Sequence, residues 1–224
     1  MRVLDRLAEL RAADPGRRLF AAHGHQYEIR PPATPDVLGR VEELAGVRLP
    51  EDYREFVTAV GDGAPGPYYG VRTLTDVLDQ IEEYGDLSDL GRDSPLTGDI
   101  DFGELLGQPD EPGEHEARLE RDTAYAEGWD ALRAEYLSAP WCHGRLPLVD
   151  HGCGDWFFLV LRGPRRGTVW VDSVAGSTGL YCLEVDFGTW YGRWLDDAAD
   201  RVRRNDFAPV DAWYSFLEFG DNPR

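Results

Sequence analysis

The sequence predicts one globular domain that combines helices and strands. Its 224 residues are enough for one large domain with a buried core. The composition, 42% hydrophobic and 12% aromatic, is that of a folded protein although 29% of the residues are charged. Apolar residues recur at helical spacing through much of the first half, whereas short apolar runs typical of strands follow from about residue 146. Any disordered part should therefore be local.

The net charge of the chain restricts the partners it can bind. The 42 acidic and 23 basic residues give a charge of -19 and a pI near 4.5. Every one of the 23 is arginine, a bias that a GC-rich genome explains, and the lack of lysine excludes Schiff-base chemistry and a phosphate-binding lysine. So acidic a surface repels nucleic acid and anionic membranes and attracts basic proteins, although the charge also serves solubility.

The cysteines and the N-terminus bear on the compartment. Cys142, Cys153 and Cys182 are an odd number, and the N-terminal segment is amphipathic rather than an apolar signal region. No apolar run approaches the roughly 20 residues of a membrane span. We therefore expect a soluble, cytoplasmic protein with reduced thiols.

Two helices and a strand are predicted in the first 45 residues. Residues 2 to 13 carry apolar side chains at helical spacing up to an Asp-Pro-Gly sequence. The stretch 25 to 30, HQYEIR, predicts a strand, which the following prolines stop. A helix over 34 to 45 follows, because Thr34 is a good N-cap and Pro35 suits the first helical position.

The next segment predicts a helix, a short strand and a further helix. Residues 50 to 60 begin with acids, which the helix dipole favours, and continue with apolar residues at i, i+3, i+4 and i+7. Gly61 is predicted to end this helix in a left-handed conformation. Residues 68 to 71 predict the strand, and Leu74-Thr75-Asp76 predicts a hydrophobic staple and an N-cap just before the further helix, which carries Val77, Leu78 and Ile81.

The middle of the chain lacks a regular pattern at first. Residues 85 to 115 are rich in Gly, Asp, Glu and Pro, which predicts an irregular acidic insertion. Helical periodicity returns from about Glu116 to Leu137, with aromatic residues on one face of a single long helix.

The last third predicts strands followed by a helix. Asp186 is a suitable N-cap for that helix, whose apolar stripe predicts a core position. The final segment, 201 to 224, carries enough aromatic residues to dock rather than form a free tail. The predicted strands cover residues 146–149, 156–161, 168–171 and 180–185, with a hairpin loop at 163–167.

A helix entry from Leu49 to Phe56 with a Gly-rich turn at Gly61 is followed, after a variable middle, by the Gly152-x-Gly154-Asp155 turn before an apolar strand. These two motifs in this order resemble the SUKH superfamily, in the branch named for fungal cell-wall assembly regulators, whose bacterial members are often immunity proteins of polymorphic toxin systems. The resemblance covers roughly residues 25 to 75 and 145 to 200. The first motif is a helix entry of the form LP-x-x-Y-x-x-F with its Gly-rich turn, and the second is a G-x-G-D turn before an apolar strand and hairpin. The residues that carry them are Leu49, Pro50, Tyr53, Phe56, Gly61, Gly152, Gly154, Asp155 and Trp170.

The resemblance implies an α+β fold with a mixed, mainly antiparallel sheet flanked by α-helices, no enzymatic activity, no cofactor and a protein partner that it does not name. We expect a single domain over 25 to 200 with a helical or irregular insertion at about 85 to 140. An N-terminal helix and arm would occupy 1 to 24, and a C-terminal docking segment 201 to 224. The insertion and the N-terminal helix lie outside the family pattern, so any partner specificity they carry cannot be inherited from it.

Three sets of residues have the residue types of a chemical site. Gly61-x-Gly63-x-x-Gly66 has the spacing of a dinucleotide fingerprint but follows a helix instead of a strand, so we interpret it as a turn. Ser177 lacks the strand and spacing of a nucleophile elbow. Four potential zinc ligands match no familiar spacing, and we favour buried or turn residues over a metal site: Cys142, His143, His151 and Cys153.

One group of acids and aromatics is a candidate partner-binding rim. Asp155, between two residues of a turn, either accepts backbone N–H groups of that turn or joins the rim. Acids and aromatics together bind arginine and lysine surfaces well. The candidate residues are Asp62, Tyr68, Tyr69, Asp150 and Asp155.

Three functions remain open from the sequence. The first is an immunity protein that neutralises a toxin with a basic surface, such as a nuclease, by direct binding. The alternatives are a regulatory scaffold for another cellular protein and a small-ligand binder or unrecognised enzyme.

Overall fold

The structure is a computed structural model that describes residues 2–84, 89–106, 114–175 and 179–207. Ser177, the aromatic residues of the predicted docking segment beyond 207, and parts of the predicted acidic insertion lie outside the described residues.

The described helices lie mostly before the strands in the chain. Their bounds are α1 Val3–Ala13, α2 Ala22–His25, α3 Pro35–Ala45, α4 Glu51–Glu55, α5 Leu74–Tyr84, α6 Phe102–Leu105, α7 Glu114–Arg121, α8 Thr123–Tyr136, α9 Ala139–Cys142 and α10 Phe187–Arg204. A π-helical turn, Phe56–Val60, continues α4. The strands are β1 Ile100–Asp101, β2 Arg145–Gly152, β3 Asp155–Val160, β4 Val169–Ser173 and β5 Gly179–Cys182.

The described strands form one five-stranded sheet in the order β1-β5-β4-β3-β2. Every pairing in it is antiparallel, so β2 to β5 form a meander and β1, from the insertion, joins the far edge. The predicted α+β fold is confirmed. The four strands predicted in the last third of the chain and the hairpin loop before β4 are confirmed to within a few residues.

The sheet is buried on both faces, because successive strand residues point to opposite sides. One core contains Leu146, Phe157 and Leu159 from the strands and is completed by side chains of α1, α3, α4 and α10. The second contains Phe158 and Trp170 and is completed by side chains of α6 and α8. The insertion therefore supplies the second helical layer of the fold.

The predicted N-caps of α3 and α10 are confirmed. Thr34 accepts a hydrogen bond from Val37 N at the start of α3, and Asp186 accepts one from Thr189 N at the start of α10. The predicted long helix over 116 to 137 is wrong in one respect. It is divided at Asp122, which caps α8 by accepting from Tyr125 N and so ends α7.

The predicted strand over residues 25 to 30 is wrong. Gln26 and Tyr27 have φ angles of 53° and 57°, in the left-handed region that a strand excludes. Two hydrogen bonds fix this conformation: Tyr27 N donates to His25 Nδ1 (3.1 Å), and the Tyr27 hydroxyl donates to the buried Asp14 (2.7 Å).

The predicted strand over 68 to 71 is also wrong. Tyr68 and Gly70 have φ angles of 48° and 91°, and Gly70 N donates to Pro67 O (3.0 Å), so the chain turns here. In the described structure, the strand-like pairing of the segment 68 to 71 consists of a single bridge between Val71 and Ala64.

Two helix boundaries near Gly61 also differ from the prediction. Gly61 has φ 167°, which is extended rather than left-handed. Glycine is needed there for close packing instead, because a Cβ would lie 2.5 Å from Arg30 O. The helix after it begins at Leu74 and is capped by Thr73, which exchanges two hydrogen bonds with Asp76.

Candidate functional site

Four of the five predicted rim residues lie at the β2–β3 turn. Tyr68 is 7% exposed, and its ring lies 4.0 Å from that of His151. Burial, then the charge of Asp155, raises the pKa of Tyr68. Tyr69 is 58% exposed, and a Cβ on Gly152 would lie 3.8 Å from its ring. Tyr69 is thus the aromatic side chain of this group that a partner can reach.

The two carboxylates of this turn have partners within the protein. Asp150 accepts from Gly152 N (2.7 Å), closing the turn. Asp155 is buried and accepts from the Ser173 hydroxyl (2.7 Å), which ties β3 to β4. The turn favours glycine because Gly152 and Gly154 have φ angles of 100° and 91°.

Asp62 lies apart from this turn, at the N-terminus of α5. It is buried and accepts from Leu74 N (2.7 Å), the first residue of that helix. Burial raises the pKa of this carboxyl group, although the hydrogen bond from Leu74 lowers it. The structure therefore brings together Tyr68, Tyr69, Asp150 and Asp155 but not Asp62.

The motif residues that carry the family resemblance belong to the core. Tyr53 and Phe56 pack edge-on against Phe187 at 4.8 and 4.9 Å between ring centroids. Trp170 is fully buried, and its Nε1 donates to Thr168 Oγ1 (2.8 Å). Leu49 is buried as well, and Pro50 is the N-cap of α4. These residues explain the fold rather than the binding.

The four potential zinc ligands are divided by the length of β2. Cys142 accepts from Arg145 (3.1 Å) at the start of the strand, whereas the His151 ring lies tilted against that of Tyr68 at its end. Six residue steps separate Arg145 from His151, or about 20 Å at roughly 3.3 Å per residue. The four side chains therefore cannot converge on one ion, and no other group of three metal-binding side chains occurs within the described ranges.

A groove that the sequence did not predict lies on the second face of the sheet. Helices α6 and α8 cover the half of this face formed by β5, β4 and β1. They leave the half near the edge strand β2 uncovered, and α5 borders that half. The described residues line a half-open cavity of about 530 Å³ there. Its lining comprises Arg72, Asp76, Asp79, Gln80, Glu83, Cys142, Arg145, Pro147, Trp156, Phe158 and Asp172.

The floor of the groove combines aromatic rings with guanidinium groups. The Arg145 guanidinium lies 4.4 Å from the centre of the Phe158 ring and pairs with Asp172 at 3.0 Å. The Arg72 guanidinium lies 5.2 Å from the centre of the Trp156 ring. Both distances fall within the roughly 6 Å range of cation–π contacts.

The wall of the groove carries carboxylates whose charge is not balanced. Asp79 and Glu83 are exposed on α5, and in the described part of the chain neither forms an ion pair. Together with Asp76 they form a stripe at helical spacing on the side of α5 away from its apolar face. This acidic stripe is the one signal in the sequence that could have indicated the groove.

Comparisons with known proteins bear on the family of the chain. Among the described helices, none has the length and apolarity that a membrane span requires. No curated protein gives a significant match to the chain. A family model described as the SMI1 / KNR4 family (SUKH-1) matches residues 32–196, which is more than half of the chain and includes both motifs. The resemblance seen in the sequence is thereby confirmed, and the chain belongs to the SMI1 / KNR4 (SUKH-1) family.

Proposed function

We propose that this chain is a non-enzymatic binding domain that neutralises a toxin domain with a basic surface, and that the groove beside α5 is where it binds. The observation that carries the proposal is the cavity of about 530 Å³ with its aromatic floor and acidic wall. It lies on rigid elements, one helix and one sheet, which suits recognition of a preformed surface.

The charge of the chain supports a basic partner. At -19 the protein attracts a cationic domain over long range, and the attraction speeds association more than it strengthens the complex. A toxin that acts on nucleic acid needs a basic active-site surface, and an acidic protein bound over that surface blocks the substrate.

The experiment is co-expression with any gene adjacent to this one whose product arrests growth when it is expressed alone. The chain should restore growth of cells that express the toxin, and the two proteins should elute together in size-exclusion chromatography. The association rate should fall by roughly tenfold or more between about 0.05 M and about 0.5 M salt, because salt screens long-range attraction.

Two results would contradict this proposal. Absence of both growth rescue and a complex would exclude toxin neutralisation. Recovery of a different cellular protein by affinity capture, with no effect on any toxin, would identify the chain as a regulatory scaffold instead.

A further inference from the structure

We infer that the groove recognises an arginine-bearing, extended segment of its partner, and that the chain's own Arg72 occupies the place on Trp156 that a partner arginine takes in the complex. The inference rests on the proposed function, because it names what the same groove binds. Four observations support it: the floor, the wall, the attachment of Arg72 and the size of the cavity.

The floor of the groove is suited to a flat cation. Trp156 is half-buried, and its ring already lies under one guanidinium, that of Arg72. A guanidinium stacks on an aromatic face and keeps its N–H donors free at the edge, which an ammonium group cannot do. The second stack in the groove, Arg145 on Phe158, is fixed by the ion pair with Asp172 and belongs to the floor itself.

The wall supplies the acceptors for such a cation. Asp79 and Glu83 lie one turn apart on α5 and line the same cavity as Trp156. The groove is acidic because four carboxylates line it, those of Asp76, Asp79, Glu83 and Asp172, against the two guanidinium groups of Arg72 and Arg145. An incoming arginine can therefore stack on the floor and donate to the wall at the same time.

Arg72 is held so that its side chain can leave. Its backbone N donates to Leu148 O on β2 (2.9 Å), which keeps the main chain in place. The guanidinium, in contrast, donates to the Gln80 side chain and to Asp76 O, and both acceptors lie at the groove surface, where water can replace it. Displacement of Arg72 would expose Trp156 without disturbing the edge of the sheet.

The size of the cavity suits a peptide segment. About 530 Å³ lies within the range of about 300–1,000 Å³ that encloses drug-sized ligands. It holds a few side chains of an extended chain rather than a folded element. We therefore expect one arginine at Trp156, with neighbouring residues of the segment along α5.

The first test measures binding of a labelled peptide of alternating arginine and glycine by fluorescence anisotropy at low salt. Two twin peptides carry lysine or uncharged citrulline instead of arginine. The arginine peptide should bind roughly threefold or more tightly than the lysine peptide, and the citrulline peptide should lose roughly tenfold or more. Equal binding of all three peptides would overturn the inference.

Charge-matched variants then locate the site. The double variant Asp79→Asn/Glu83→Gln should weaken arginine-peptide binding by roughly tenfold. A control, Glu9→Gln/Glu127→Gln, removes two exposed carboxylates from α1 and α8 and should change binding by less than about twofold. Equal losses in the two variants would show that only the total charge matters and would refute the groove.

The role of Arg72 predicts a gain instead of a loss. Arg72→Gln should tighten binding of the arginine peptide by roughly threefold or more, because Trp156 is then free. Arg11→Gln removes one exposed positive charge from α1 and should change affinity by less than about twofold. Weaker binding by Arg72→Gln, or equal tightening by both variants, would contradict displacement.

These results can be separated from those on toxin neutralisation. If the chain neutralises the toxin but Asp79→Asn/Glu83→Gln neutralises it equally well, the groove inference fails and the proposed function stands. If the groove binds arginine peptides selectively but no toxin is neutralised, the proposed function fails and the recognition chemistry stands.

Discussion

Replacing His25 with asparagine should change how the stability of the fold depends on pH. His25 Nδ1 accepts a hydrogen bond from Tyr27 N (3.1 Å), which requires an unprotonated nitrogen at that position. Burial, assisted by the charge of His23, lowers the pKa of His25 from 6.5 to about 4. The folded protein therefore keeps this imidazole neutral where the unfolded chain protonates it.

The sign and size of the effect follow from this difference. As pH falls from 6.5 towards about 4, the unfolded chain gains a proton that the folded chain does not, so wild-type stability decreases over that window and levels off below it. Each pH unit corresponds to about 1.36 kcal/mol, which gives a loss of at most about 3 kcal/mol. An asparagine side chain accepts the same short-range hydrogen bond but does not titrate.

Urea unfolding of the wild type and of His25→Asn at several pH values between about 7 and about 4 measures the effect. The free energy of unfolding of the variant should gain up to about 3 kcal/mol relative to the wild type over this range. Asp197 and Arg201 line the same small cavity as His25 but are present in both proteins. His23→Asn, at an exposed position of the same helix, should keep most of the wild-type pH dependence, because burial is the larger cause of the lowered pKa of His25. Parallel curves for the wild type and His25→Asn would refute the reasoning.

Two further predictions concern buried contacts. Asp14→Ala should lower the free energy of unfolding, measured with urea, by roughly 2–4 kcal/mol, because it leaves Leu19 N and the Tyr27 hydroxyl without their buried acceptor. As a control, Asp5→Ala at an exposed position should lower it by less than about 0.5 kcal/mol. Gly179→Ala places a Cβ 1.9 Å from Ile100 O, so it should lower the free energy of unfolding by roughly 1–3 kcal/mol. Amide hydrogen exchange should become faster where β1 pairs with β5 but not where β2 pairs with β3. Unchanged stability in either variant would contradict the contact it tests.

Sequence patterns predicted the elements that depend on neighbouring residues. The caps at Thr34 and Asp186 involve groups three residues apart, so the sequence carries them directly. The predicted strand near Tyr27 failed because its conformation depends on Asp14, thirteen residues away. No local pattern contains such information.

The groove was beyond prediction for the same reason. Its wall lies on α5 and its floor includes Trp156, so the two are brought together only by the folded sheet. The acidic stripe of α5 looked like an ordinary solvated helix face in a chain with 42 acidic residues. The predicted rim residues Tyr68 and Asp155 do lie close together, but the side chains of both are buried.

The order of the strands also affects the folding of the chain. Strands β2 to β5 pair with their neighbours in sequence, so each pairing closes a short loop. The pairing of Ile100 with Leu180 instead joins residues 80 positions apart. The entropic cost of closing this long loop is recovered only once β5 is already in place in the sheet. The strands of the meander can therefore pair with one another before β1 of the insertion joins the edge of the sheet. On unfolding, that two-residue edge would be the first part of the sheet to fray.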